Sequence, residues 1–182
     1  GDLISMKEWV EGLFKVLCSA LGKTTFHWMG NDIDFSKGFR WVSMAQAIQE
    51  QTGIDFTEEM TYEEAVELAK QHNVPLQKSW NSVGYIMNAF FDEFVEKTLV
   101  QPTFIHTYPV EVSPLTKRSK DPRFVERFEF FIGGTEFGNA YTELNNPFDQ
   151  KSRFEAQLEA RKRGDEEAAD IDFTFIDALD YG

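Results

Sequence analysis

Glu129 and Glu136 flank a Gly133-Gly134 pair. Glycines accept the positive φ that a two-residue hairpin turn requires. Such a turn pairs Ile132 with Thr135 and Phe131 with Glu136. Residues paired across two strands share a face, and so do residues two apart on one strand. Glu129, Phe131 and Glu136 therefore share a face, with the two carboxylates as diagonal neighbours. Like charges so placed repel unless something positive lies between them. A hard cation such as Mg2+, taking phosphate oxygens on its other side, would satisfy both. The competing reading is two solvated carboxylates on an exposed sheet, the ordinary fate of glutamates, and spacing alone does not remove it.

Asn139, Tyr141 and Glu143 follow at strand period, so they too share a face. They supply an amide, an aromatic wall and a carboxylate. Together these suit an amino acid with a long cationic side chain, with Glu143 on the ammonium and Tyr141 against the methylenes. Asn139 stands three positions after Glu136, so an unbroken strand would set the two groups on opposite faces. One pocket can hold both only if the strand carries a bulge, and Gly138 is the natural place for it.

Other chemistry-bearing residues offer less. His27, His72 and His106 lie far apart with no metal-ligand spacing, and His106 on a strand reads as a packing or hydrogen-bonding residue. Cys18 falls on an apolar helical face and reads as buried and inert. No phosphate-binding glycine loop, dinucleotide fingerprint or nucleophile elbow is present. Arg161-Lys162-Arg163 fits the C-terminal turn of a helix, with nucleic-acid contact the lesser reading.

The elements that must position these residues follow from the pattern. Ser5-Met6-Lys7-Glu8 reads as a capping box, followed by Trp9, Leu13, Val16, Leu17, Ala20 and Leu21 at helical spacing and by Gly22 as a stop. Residues 24–28 and 33–35 flank Gly30-Asn31 as a hairpin, and 39–42 reads as a strand. Ser43 caps a short helix ending at Gly53. Thr61-Tyr62-Glu63-Glu64 is a second capping box, opening a helix to about Gln71. After Pro75, residues 79–100 form a long amphipathic stretch rich in Phe. Residues 54–100 thus look all-helical and read as an insertion in a β-rich domain. Beyond Pro102, residues 103–106, 126–131 and 135–144 read as strands. Residues 108–115 are too proline-rich for a helix, and 116–122 form a basic polar loop. Asn146-Pro147 starts a charged helix to about Arg163, and 172–179 reads as a short helix.

With 182 residues the chain can bury one sizeable core, and 18 Phe mean that core is rich in rings. A net charge of −13 argues against a broad surface for a nucleic-acid backbone, so any nucleic-acid contact must be local. No apolar run approaches the ~18 residues of a membrane span. The mixed charge of residues 1–8 does not read as a signal peptide. The single cysteine is compatible with a reducing cytoplasm.

The residues then resemble a known family. Gln101-Pro102-Thr103-Phe104-Ile105, Tyr108-Pro109-Val110-Glu111-Val112-Ser113-Pro114-Leu115, Glu126-Arg127-Phe128-Glu129-Phe130-Phe131 and Glu136-Phe137-Gly138-Asn139-Ala140-Tyr141-Thr142-Glu143-Leu144-Asn145, with Gln150 and Arg153-Phe154, stand in the order of the class II lysyl-tRNA synthetases. The resemblance covers about the last 80 residues closely and the rest more loosely. It implies an α+β fold, an antiparallel sheet flanked by helices. It implies activation of L-lysine with ATP to lysyl-adenylate, and transfer of lysine to tRNA(Lys) by a homodimeric cytoplasmic enzyme. In that family the residues matching Glu129 and Glu136 hold Mg2+ bridging the ATP phosphates, and those matching Asn139, Tyr141 and Glu143 line the lysine pocket.

By the same resemblance the chain starts after motif two and stops before motif three, each of which supplies an arginine. The expectation is a fragment that cannot activate lysine alone. Two other readings stand beside it. One is a related ligase that modifies elongation factor P, which alters the lysine pocket; Asn139, Tyr141 and Glu143 all being present favours the synthetase. The other is a folded module that binds without catalysing.

Overall fold

The computed structural model describes residues 3–164 and 173–181. Helix α1 (Leu3–Leu21) leads into a hairpin of β1 (Thr25–Trp28) and β2 (Asn31–Asp34). Strand β3 (Arg40–Ser43) and helices α2 (Met44–Thr52), α3 (Tyr62–Gln71) and α4 (Val83–Phe94) follow. Then come β4 (Thr103–Pro109), β5 (Phe124–Ile132), β6 (Thr135–Tyr141), α5 (Pro147–Lys162) and α6 (Phe173–Tyr181). The main sheet has the order β3-β4-β5-β6. It is antiparallel from β4 to β6, as expected, but β3 joins β4 in parallel. A parallel partner needs a long crossover, and here α2 to α4 supply it.

Those helices form one layer on the sheet. Met44 and Ile48 of α2, Ala65 and Ala69 of α3, and Ile86, Met87, Phe90 and Phe91 of α4 share a buried cluster with Val42, Ile105, Tyr108, Val125 and Phe131. The regular elements between residues 54 and 100 are all helical, and they close on the sheet in this common core. On the other face Phe104, Phe128 and Ile132 meet Ile33, Phe39 and, from α1, Val10 and Phe14. Residues alternate between the two clusters along β4 and β5, as a sheet covered on both faces requires.

Local chemistry sets most boundaries. Ser43 accepts from Gln46 N, and Gly53 closes α2 at φ 79°. Thr61 and Glu64 form the reciprocal capping box of α3. Asn146 accepts from Phe148 N and Asp149 N above Pro147, the first residue of α5.

Three further expectations need correction. Ser5 lies inside α1, which already runs from Leu3, so Ser5 to Glu8 is not its cap. The first hairpin turns on Met29-Gly30, at φ 50° and 78°, rather than on Gly30-Asn31. The stretch 79–100 is not one long helix: α4 stops at Phe94 and a 3-10 turn, Glu96–Thr98, follows. The helix expected from the spacing of Trp9, Leu13, Val16, Leu17 and Leu21 is present, with those side chains exposed, Trp9 by 80%; α1 packs through the other side, by Val10 and Phe14. Cys18 is buried as expected. Of the short C-terminal helix, Asp172 lies outside the described residues.

Candidate functional site

The Gly133-Gly134 turn forms as the pattern predicts, with φ of 63° and 74° and the pairs Ile132–Thr135 and Phe131–Glu136. It is pinned from outside: Gly133 N donates to Val100 O and Gly134 N to Leu99 O. Trp28 covers it so closely that a Cβ on residue 133 would lie 2.6 Å from the indole ring.

Beyond the turn the register shifts. Phe131 faces Glu136 but Phe130 faces Gly138, leaving Phe137 as the extra residue. The bulge expected at Gly138 thus sits beside it. Gly138 serves a related need, because the Phe130 ring lies where a side chain would go; a Cβ there would meet Phe130 Cε1 at 2.8 Å. Phe137 itself packs edge-on against Trp28, ring centroids 5.4 Å apart.

The bulge changes which residues share a face. After it, Asn139 stands opposite Glu129 and Tyr141 opposite Arg127. Arg127, Glu129, Phe131, Glu136, Asn139 and Tyr141 therefore lie on one face, the face covered by α4. Asn139 Nδ2 donates to Glu136 Oε1 at 3.3 Å. Glu143 lies past the end of β6, exposed, where it bridges to Thr116. Tyr141 is exposed as well.

A second irregularity brings in Tyr108. Thr107 adopts a φ of 64°, costly for a β-branched residue, and the β4–β5 register shifts at the same point. Tyr108 thereby joins the face of Ile105 and donates its hydroxyl to Glu129 Oε2 at 2.6 Å. Burial, with the Glu129 charge beside it, pushes this phenol well above its ordinary range, so it remains a donor. On its other oxygen Glu129 pairs with Arg127. Glu129 is 8% exposed, so the solvated-carboxylate reading does not describe it, although Glu136 is exposed. Burial raises the Glu129 pKa, Arg127 and Tyr108 pull it back, and Glu136 and Glu96 push it up again.

These groups open on a cavity of about 290 Å³ lined by Asn88, Phe91, Asp92, Glu96, Tyr108, Val112, Arg127, Glu129, Phe131 and Glu136. Four carboxylates there face one guanidinium, an excess of negative charge that suits a cation. Among the described residues no group of three or more His, Cys, Asp or Glu is disposed to hold a metal ion by itself. A hard cation at Glu129 and Glu136 would have to take its remaining ligands from another molecule. A larger cavity of about 590 Å³, over Phe56, Met87 and Phe124, contains none of the predicted site residues.

The sequence reading gave no role to Arg127, Tyr108, Asp92 or Glu96. Arg127 carried a usable signal, since it stands two residues before Glu129 and so shares its face. Tyr108 carried none, because its orientation depends on the Thr107 irregularity. Asp92 and Glu96 come from a distant element. His106 is a packing residue, its ring stacked on Trp41 with centroids 4.5 Å apart.

Comparison with known proteins identifies the family. Residues 2–182 match the family described as tRNA synthetases class II (D, K and N). The chain is 51% identical over 183 residues to the lysine–tRNA ligase of Streptococcus pyogenes serotype M5 (strain Manfredo). It is 49% identical to that of Streptococcus gordonii and 48% to that of Streptococcus thermophilus. Each match covers 100% of this chain and 37% of the relative's length. With that match over nearly every residue, the chain belongs to the class II tRNA synthetases of the D, K and N group.

Proposed function

We propose that these residues form the cation- and amino-acid-binding strands of a lysine–tRNA ligase. The whole protein would join L-lysine and ATP into lysyl-adenylate and pass the lysine to tRNA(Lys). The observation that carries this reading is the bulge at Phe137, which sets Glu129, Glu136, Asn139 and Tyr141 on one face. Glu129 and Glu136 would hold Mg2+, which when bound neutralises charge on the ATP phosphates. Tyr141 would lie along the lysine methylenes, Glu143 would take the ammonium, and Asn139 would supply an amide beside them. No side chain need act as a general base, because the lysine carboxylate is itself the nucleophile at the α-phosphorus. The chain's contribution is placement and charge complementarity.

In this reading residues 54–100 are a helical insertion that walls the site with Asp92 of α4 and Glu96 of the 3-10 turn after it. A homodimeric cytoplasmic enzyme goes with the same activity. Among the described residues no helix is long and apolar enough to cross a membrane.

The test is a graft. The matched segment of the Streptococcus pyogenes lysine–tRNA ligase is replaced by this chain, and lysine-dependent ATP–pyrophosphate exchange and tRNA charging are measured. Both activities should persist. Glu129→Gln or Glu136→Gln should reduce exchange about 100-fold or more, and Glu143→Gln should raise the KM for lysine. A folded graft without lysine-dependent exchange would overturn the reading. A graft that activates lysine but modifies elongation factor P rather than tRNA would redirect it.

A further inference from the structure

We propose that Arg127 is a positioning residue of the cation site, fixing the Glu129 carboxylate in the cavity and tying it to the turn that follows β4. The inference rests on the reading of this cavity as the place where a cation meets a polyphosphate.

The geometry is specific. Arg127 Nη2 pairs with Glu129 Oε1, while Nη1 donates to Val112 O at 3.2 Å and to Ser113 Oγ at 2.9 Å. The guanidinium lies over the Tyr108 ring, 4.7 Å from its centroid. Tyr108 holds the remaining oxygen of Glu129. Arg127, Tyr108 and Glu129 thus form a closed unit in which each side chain touches the other two. Glu136 has no comparable support among the described residues, where it accepts the 3.3 Å contact from Asn139. The two carboxylates therefore differ in kind: one is aimed by the fold, and the other is free to adjust.

Arg127 is also the one basic residue among those lining the cavity. A polyphosphate entering with a cation is still an anion, and it meets Asp92, Glu96, Glu129 and Glu136. The guanidinium offsets that repulsion where the phosphates would lie. A bare cation experiences the opposite force, since Arg127 competes with it for Glu129. The fork geometry matters because one planar group serves Glu129 and the turn together, which a lysine ammonium cannot reproduce in the same orientation.

Opposite effects on metal and on metal–nucleotide are the signature. Mn2+ binding to the 182-residue chain is followed by electron paramagnetic resonance with and without ATP, for wild type, Arg127→Met and Arg127→Lys. Arg127→Met should bind Mn2+ alone as tightly as wild type or more tightly, and Mn2+–ATP at least about tenfold more weakly. Arg127→Lys should restore the value for Mn2+ alone and only part of that for Mn2+–ATP. Amide exchange at Val112 and Ser113 should rise in Arg127→Met. Equal weakening of both ligands would mean a general structural role and would overturn the assignment. So would an unchanged Mn2+–ATP affinity. If the wild type itself shows no ATP-dependent Mn2+ signal, the reading of the cavity falls and the assignment goes with it; if only the variants match wild type, the assignment alone falls.

Discussion

Gly84, in the first turn of α4, and Glu111, just beyond β4, occupy the same space: a Cβ on residue 84 would stand 2.1 Å from Glu111 Oε2 and 2.9 Å from Pro109 Cβ. In most helices exchanging Gly for Ala stabilises by ~1 kcal/mol. Here the methyl must displace a carboxylate that can swing and a proline that cannot. Gly84→Ala should therefore destabilise, by about 1–2 kcal/mol, in urea unfolding. Glu111→Ala in the same background should recover part of the loss. A stabilised Gly84→Ala protein would show that Glu111 and Pro109 yield freely.

Arg153 is 6% exposed and crosses from α5 to the turn after β4. Its Nη1 donates to Ser113 O at 3.1 Å and Thr116 O at 2.5 Å, and its Nη2 to Asp149 at 3.1 Å. Arg153→Met keeps the aliphatic volume but takes the side-chain donor from Thr116 O and Ser113 O and one of two arginines from Asp149, which retains Arg118. The expected loss is about 3 kcal/mol by urea unfolding. Asp149→Asn should cost less, since Arg153 keeps both carbonyls.

Burial holds the His106 imidazole at a pKa of about 4, below the ordinary histidine value of 6.5. The unfolded chain therefore binds a proton between those values that the folded chain refuses. Its contribution to stability is complete above pH 6.5 and is lost as pH falls toward 4. The loss should be about 2 kcal/mol once residual solvent screening is allowed for. His106→Gln should flatten this part of the stability–pH curve, and the difference between the two curves isolates the imidazole from the titrating carboxylates. Parallel curves would show that His106 takes a proton without penalty.

Gly138→Val places a branched side chain against the Phe130 ring, which lies 2.8 Å from the nearest added atom. Overpacking of this kind costs about 1–3 kcal/mol. In the grafted enzyme it should also raise the KM for lysine, because Asn139 and Tyr141 follow directly in the strand. An unchanged KM with a normal fold would show that Phe130 gives way without disturbing the strand.

The turn at Gly133-Gly134, the capping box at Thr61 and the start of α5 at Pro147 were legible because each rests on contacts within a few residues. The need for a bulge was legible too, from the odd spacing of Glu136 and Asn139. What escaped depends on distant neighbours. Nothing near β3 in the sequence says that it pairs in parallel with a strand some 60 residues later. The apolar spacing of α1 announced a helix but not which side the sheet would take. The acidic wall from Asp92 and Glu96 exists only because α4 and the 3-10 turn after it pack on the sheet, with Phe91 against Phe131. Tyr108 reaches Glu129 only because Thr107 accepts a backbone conformation that its side-chain type disfavours.

The single extra residue at Phe137 acts on β6 as a change of parity. Before it, even-numbered residues look toward α4; after it, odd-numbered ones do. Were β6 to run through Phe137 as a regular strand, every residue would remain and Asn139 and Tyr141 would still turn to the opposite side of the sheet, apart from Glu129 and Glu136. In this strand the count of residues is as much a part of the site as their identity.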